Sequence, residues 1–263
     1  MTEELLEVVE DGVATITMNR PDALNAVTRD MLGDMHEKVE RLAADGAVGA
    51  IVLIGAGRGF CAGGDVKAMA AGRDREMSVE ERMHNLRSRM EVSQALHEVP
   101  VPTIAAIRGP AAGAGLSLAL ACDLRVASET ARLITAFRNV ALSGDFGGSW
   151  FLTKLVGPAK ARELYFTADR VEAEEALSLG LVNKVVPDDE LESAAMELAK
   201  RLADGPRVAL SYMKKNLNAA LTQPLAQVLD MEAVGHSRCS WTEDHKEAAA
   251  AFVEKRQPVF QGR

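Results

Sequence analysis

The sequence predicts an α/β fold. Two continuous apolar runs, in "VGAIVLIGAG" and "VPTIAAIRG", have the length and branched-residue content of strands buried on both faces, as in a parallel sheet. Each runs into a glycine-rich loop, "GFCAGGD" after the first and "GPAAGAG" after the second, and segments with helical spacing of apolar residues lie around them. Buried strand, glycine loop and helix, in that order, are the grammar of such folds.

The elements follow along the chain. Leu5 to Val9 and Val13 to Met18 flank Asp11-Gly12, a dipeptide that tolerates the positive φ of a tight turn, so a hairpin is expected. Pro21 and Asp22 end the second strand and begin a helix whose apolar positions Leu32, Met35, Val39 and Leu42 share one face. After the first buried strand, the stretch from Gly63 to His97 starts glycine-rich and turns charged and helical, the composition of a cover over whatever the preceding loop binds. The second buried strand leads to small residues that open a helix from Ala114 to Ala121, and a strand follows at once in "DLRVAS". "GGSWFLTKLVG", "PAKARELYFTA" and "EAEEALSLG" read as further helices and "LVNKVV" as a short strand. Near residue 195 the pattern becomes all helix, so residues 1–195 are expected to form the core and 196–263 a helical appendage.

Composition narrows the function. A chain of 263 residues, 48% hydrophobic and 26% charged, is an ordinary globular protein with enough length for a sizeable core. A net charge of −8 with no Lys/Arg-dense stripe opposes nucleic acid as the main partner, because such binding rests on neutralising phosphates. The start, "MTEELLEVVEDG", has acids where a signal peptide carries a basic region, and no apolar run reaches membrane-span length; a cytoplasmic protein without membrane contact is expected. Three cysteines without a CxxC spacing and five scattered histidines suggest neither a disulfide framework nor a metal site, and Cys122 reads as a small buried hydrophobe.

Glycines let backbone approach a ligand closely, and the first N–H groups of a helix are unpaired and partly positive. The two glycine loops together could therefore hold an anion or an oxyanion. They match neither a P-loop nor the GxGxxG dinucleotide pattern. A third stretch, "LSGDFGGSW", sets Asp145 among glycines and bulky apolar residues. Asp145 reads as the N-cap of a helix starting near Gly147, as a turn residue, or as a catalytic acid or base. Glu163 in "ARELYF" is spaced for an outward salt bridge.

In order along the chain, "FCAGGDVKAM", "GPAAGAGLSLALACDLRVAS", "GDFGGSWFLTKLVG" and "ADRVEAEEALSLGLVNKVVP" resemble the enoyl-CoA hydratase/isomerase (crotonase) family, from "NRPDALNAV" to "AFVEKRQPVF". The resemblance implies a spiral of ββα turns, a C-terminal helical region used in trimer contacts, and a homotrimer or a hexamer of two trimers. It also implies a coenzyme A thioester as substrate, with no cofactor beyond that coenzyme A. Two backbone N–H groups hold the thioester oxygen in such proteins, and the matching positions are Ala62 and Ala114, with Gly63, Gly64 and Gly115 keeping the backbone accessible. Asp65 is expected to tie down the first loop, Asp123 to begin a strand, Lys67 and Lys255 to reach the nucleotide end of the ligand, and Arg20 to contact the ligand or cap structure.

The departures sharpen the reading. Hydratases of the family use two glutamates, and Ser117 and Phe137 occupy those places here, so two-glutamate hydration has no acid or base to work with. Asp145 stands where the family's double-bond isomerases carry an aspartate, and "GGSW" fits that branch. A shift of a double bond needs one base that takes a proton from one carbon and returns it two atoms away. Phe137, Phe146 and Trp150 are expected to wall that carboxylate and desolvate it. The other readings are hydration with Asp145 as sole base, nucleophilic attack by Asp145, and a non-catalytic binder of coenzyme A thioesters or RNA.

Overall fold

The computed structural model describes residues 3–65 and 77–263. The chain is mixed α/β with a helical C-terminal region, as expected. Strands β1 (Leu5–Glu10) and β2 (Val13–Met18) make the hairpin, with Asp11 and Gly12 at φ 50° and 76° in its turn. From β2 the sheet continues in parallel through β3 (Ala50–Gly55), β4 (Thr103–Ile107), β6 (Leu124–Ser128) and β9 (Lys184–Val186). Every residue of β3 and β4 is buried, in keeping with a sequence that is apolar apart from Thr103 at the start of β4. A second, small sheet joins β5 (Pro110–Ala112), β7 (Arg132–Ile134) and β8 (Val171–Glu172).

Alternation along the strands divides the core in two. Ile51, Leu53, Ala105 and Ile107 face a large cluster that takes in Leu32, Met35, Val39 and Leu42 of α1 (Arg29–Ala44). Val52, Ile54, Ile104 and Ala106 face the other way, onto Leu191, Ala194, Ala195 and Ala199 of α7 (Leu191–Ala203). Residue 195 thus lies inside a helix that forms a layer on the sheet.

The helix expected to begin at Pro21 starts later. Pro21–Ala23 is a single 3-10 turn, Leu24 and Asn25 follow at positive φ (49° and 57°), and α1 opens only after Thr28, whose hydroxyl accepts from the Met31 N–H. The reason is tertiary. The buried Asn25 side chain donates to the carbonyls of Ala56 and Gly59 and accepts from the Arg20 N–H, so this segment is fixed as a buttress for the loop after β3.

The charged region before β4 forms α2 (Val79–Arg89), with a Ser78/Glu81 capping box, and α3 (Glu91–Glu98). Helix α4 (Ala114–Ala121) spans the residues expected of it, and all eight are buried. Helix α5 (Gly148–Thr167) is broken at Gly157 (φ 76°) just before Pro158, which separates the two helical motifs read there. After α6 (Ala173–Ser178) and α7 come α8 (Arg207–Ala220), α9 (Leu225–Cys239) and α10 (Glu243–Glu254). Buried Lys214 fastens α8 to the core through Asp123 at 2.7 Å and the carbonyls of Leu96 and Val101. Asp123, just ahead of β6, also accepts from the Thr103 N–H at 2.8 Å, the architectural role expected of it. No helix among the described residues is long and apolar enough to cross a membrane.

Candidate active site

The two glycine loops are joined to each other. Cys61 and Ala111 form a parallel bridge in which the Cys61 N–H donates to Pro110 and its carbonyl accepts from Ala112. Gly115 sits directly on Cys61: a Cβ there would fall 2.6 Å from the Cys61 Cβ and 2.7 Å from its Sγ. Gly63, at φ 94°, turns the first loop so that a Cβ on it would lie 3.6 Å from the Ala114 nitrogen. The start of α4 and the Gly63 turn therefore meet at one spot.

Ala114 is the first residue of α4, and no described residue accepts a hydrogen bond from its N–H. Ala62 is different: its N–H donates to the Leu24 carbonyl at 2.9 Å, in the buttress that Asn25 holds, so it is not available as an oxyanion donor. The available N–H in this loop is that of Gly64, two residues on, for which none of the described residues is an acceptor. Nothing in the sequence distinguishes the two positions, because the direction of each N–H depends on the turn at Gly63.

Asp65 ties down this loop as expected, pairing with Arg20 at 3.1 Å. Arg20 also donates to the Ala26 carbonyl and pairs with Glu4 at 3.3 Å, so its guanidinium acts as a structural clasp. Lys67 lies outside the described residues. Lys255 is exposed at the left-handed end of α10. Glu163 pairs with Lys160 at the surface, as its spacing implied.

Asp145 lies in the loop before α5. It is not that helix's cap: the N-cap is Gly147 (φ 74°), with no side chain capping, and only the backbone carbonyl of Asp145 accepts, from the Gly148 N–H. The helix-cap reading is thereby removed. The carboxylate is partly buried, its Oδ1 is buried with no hydrogen-bond partner, and burial pushes its pKa up to about 6 against the opposing pull of the Arg89 guanidinium. Phe146, buried beside it, is held at φ 50°, a strained conformation for a bulky residue.

Phe137 is buried, and its ring stacks on Tyr165 at 5.9 Å with 17° between planes. Trp150 instead packs edge-on against His97 of α3 and Phe151, with Lys154 over its ring, and is 37% exposed. Ser117 is buried with its hydroxyl donating to the Gly113 carbonyl at 3.2 Å. Gly148 is pressed against that hydroxyl, and a Cβ on it would lie 2.7 Å from the Tyr165 Oη. Tyr165 and Arg89 are the groups that sequence reasoning missed. Tyr165 stands in "ARELYF", where the residue type alone carries no signal, and Arg89 acts on Asp145 through folding alone.

Among the described residues no group of three or more His, Cys, Asp or Glu is placed to hold a metal ion. The Cys61 and Cys122 thiols are buried and pushed up to about 12, which makes them inert packing groups at neutral pH.

Residues 9–263 match the family model described as enoyl-CoA hydratase/isomerase. The chain is 36% identical over 268 residues to the 1,2-epoxyphenylacetyl-CoA isomerase of Escherichia coli K12, covering 100% of both proteins. It is 37% identical over 250 residues to the short-chain-enoyl-CoA hydratase of Clostridium acetobutylicum, covering 94% of each. A crystal structure from Streptomyces coelicolor A3(2), 41% identical, superposes with a TM-score of 0.95 over 99% of this chain and 95% of that one. A crotonase fold, two converging glycine loops and a match over nearly the whole length agree: the chain belongs to the enoyl-CoA hydratase/isomerase family.

Proposed function

We propose that this chain shifts a double bond in an unsaturated acyl group carried as a coenzyme A thioester. The N–H groups of Ala114 and Gly64 hold the thioester oxygen, where negative charge develops as a proton leaves the acyl chain. A preorganised donor of this kind is worth about 3 kcal/mol. Asp145 takes that proton and returns it to a carbon two atoms away, so the net change is the position of the double bond and no water is consumed.

The observation that carries this reading is the state of Asp145. Its carboxylate is unpartnered at Oδ1 and raised to about 6, so near neutrality it is mostly ionised yet still has useful proton affinity. Ser117 and Phe137, the places of the two hydratase glutamates in the resemblance, are buried and hold no carboxylate. The Escherichia coli relative is likewise named as an isomerase of a coenzyme A thioester, though of an epoxide. Hydration, with Asp145 acting on water, is the second reading, favoured by the hydratase name of the Clostridium acetobutylicum relative.

Purified protein offered 2-enoyl-, 3-enoyl- and dienoyl-CoA separates the two, with products identified by mass. A mass-neutral shift that Asp145→Asn abolishes is expected. Rapid addition of water to 2-enoyl-CoA that survives Asp145→Asn would refute the proposal.

We further propose that the chain works as a homotrimer or a pair of trimers joined through its C-terminal helices. Trp241 and Phe252 are each 85% exposed in the single chain, and Leu225, Val253 and Val259 are exposed near them in sequence. Such concentrated apolar exposure suits an interface between copies.

A further inference from the structure

We propose that Tyr165 is a positioning residue for Asp145: its phenol, which makes no direct bond to Oδ1, donates to it through one water and leaves Oδ2 as the atom that carries the proton. This rests on the reading of Asp145 as the base. Four buried side-chain polar atoms among the described residues lack a partner, and two of them, Asp145 Oδ1 and Tyr165 Oη, fall at the same loop. One can only accept while the carboxylate is ionised, and the other is a donor. The phenol oxygen lies 3.4 Å from where a Cβ on Gly144 would sit and 2.7 Å from the same point on Gly148. Asp145 stands between those two glycines, and their missing side chains leave the space that the hydroxyl enters.

Further contacts point the same way. Asp145 Oδ2 is not among the buried unpartnered atoms although no described group donates to it, so it reaches open space while Oδ1 is covered. The Tyr165 ring is fixed by its stack on Phe137, which sets where the hydroxyl can be. Ser117, the other hydroxyl against Gly148, is committed to the Gly113 carbonyl. Burial and the nearby Asp145 charge push the Tyr165 phenol up to about 12, so it stays protonated through the working range. Arg89, at the end of α2, is the charged group that acts on Asp145 from the opposite element, and its Nε is committed to the Asn85 carbonyl. A donor to the ionised form favours that form, so Tyr165 and Arg89 both hold the carboxylate ready while burial opposes them.

Tyr165→Phe keeps the ring and its stack. The expected result is a fall in kcat of about tenfold, the loss of a hydrogen bond to a charged group, with KM little changed. The acidic limb of the kcat/KM profile is expected to move to higher pH, and Ser117→Ala to leave it in place. Where the phenylalanine variant folds poorly, 3-fluorotyrosine, a stronger donor, replaces both tyrosines of the chain and is expected to move the limb to lower pH. An unmoved limb with unchanged kcat in Tyr165→Phe would overturn the inference, as would an equal shift in Ser117→Ala. Asp145→Asn run alongside separates the failures: loss of turnover there with an indifferent Tyr165→Phe sinks Tyr165 alone, whereas full turnover in Asp145→Asn sinks the base itself.

Discussion

Replacing Asp145 with asparagine should make the folded chain more stable at neutral pH while it removes the reacting group. Burial lifts this carboxyl from the ordinary 3.8 to about 6. At about 1.4 kcal/mol per pH unit, ionising it costs the folded chain up to about 3 kcal/mol more than the unfolded one. The raised value belongs to the folded state, so protonated Asp145 favours folding below 3.8, and that contribution is lost as the pH rises through about 6. Asparagine never ionises and escapes the penalty. Its amide is a weaker acceptor than the carboxylate and brings a buried NH2 that needs a partner, which returns roughly half of the gain. A net gain of about 1.5 kcal/mol corresponds to a rise in melting temperature of about 3–6 °C for a chain of this size. Scanning calorimetry of both proteins at pH 8 and pH 4, at one protein concentration because assembly also shifts melting, reads the difference. It should be present at pH 8 and absent at pH 4. A variant that melts below the parent at pH 8, or a difference equal at both pH values, would show that burial does not penalise the ionised carboxylate and would refute the reasoning.

Two further outcomes follow from the geometry. Gly115→Ala places a methyl group against Cys61 and should part the two glycine loops, destabilising the chain by about 1–3 kcal/mol. Turnover should fall about 100-fold through misplacement of the backbone donors, while circular dichroism stays native; near-parental kinetics would mean that the loops do not set the donors. Trp241→Ser combined with Phe252→Ser should reduce the mass seen by light scattering from that of an assembly to that of a single 28.2 kDa chain. An unchanged mass would move the interface elsewhere.

Much of the frame was legible because burial writes itself into composition. Strands β3 and β4 had to be read as buried on both faces, since β3 holds no polar residue and β4 only Thr103 at its start. The start and end of α4 followed from small residues between a glycine loop and the next strand. The start of α1 was not legible. Pro21 is a sound helix opener locally, but the partners of Asn25 lie 31 and 34 residues away, and they decide the conformation of that stretch. Within the site, Asp145 could be singled out as a carboxylate with no neighbours of its own kind, and its readings needed coordinates to separate them. The backbone donor of the first loop could not be found from side-chain letters, because an N–H has none. It depends on the φ of Gly63 and on the carbonyl of Leu24, neither of which leaves a trace in the residues themselves.

The bridge between Cys61 and Ala111 has a consequence for how such a protein can change over time. The two proposed donors ride on a pair of extended segments locked in register by main-chain bonds, so the gap between them is a property of peptide geometry. The side chains of Ser117 on α4, Phe137 beyond β7 and Asp145 ahead of α5 take no part in those main-chain bonds. On the proposed reading, an exchange at any of them would alter what happens to the acyl chain while the donors stay in place. Heredity can thus keep the handle fixed while it changes the tool.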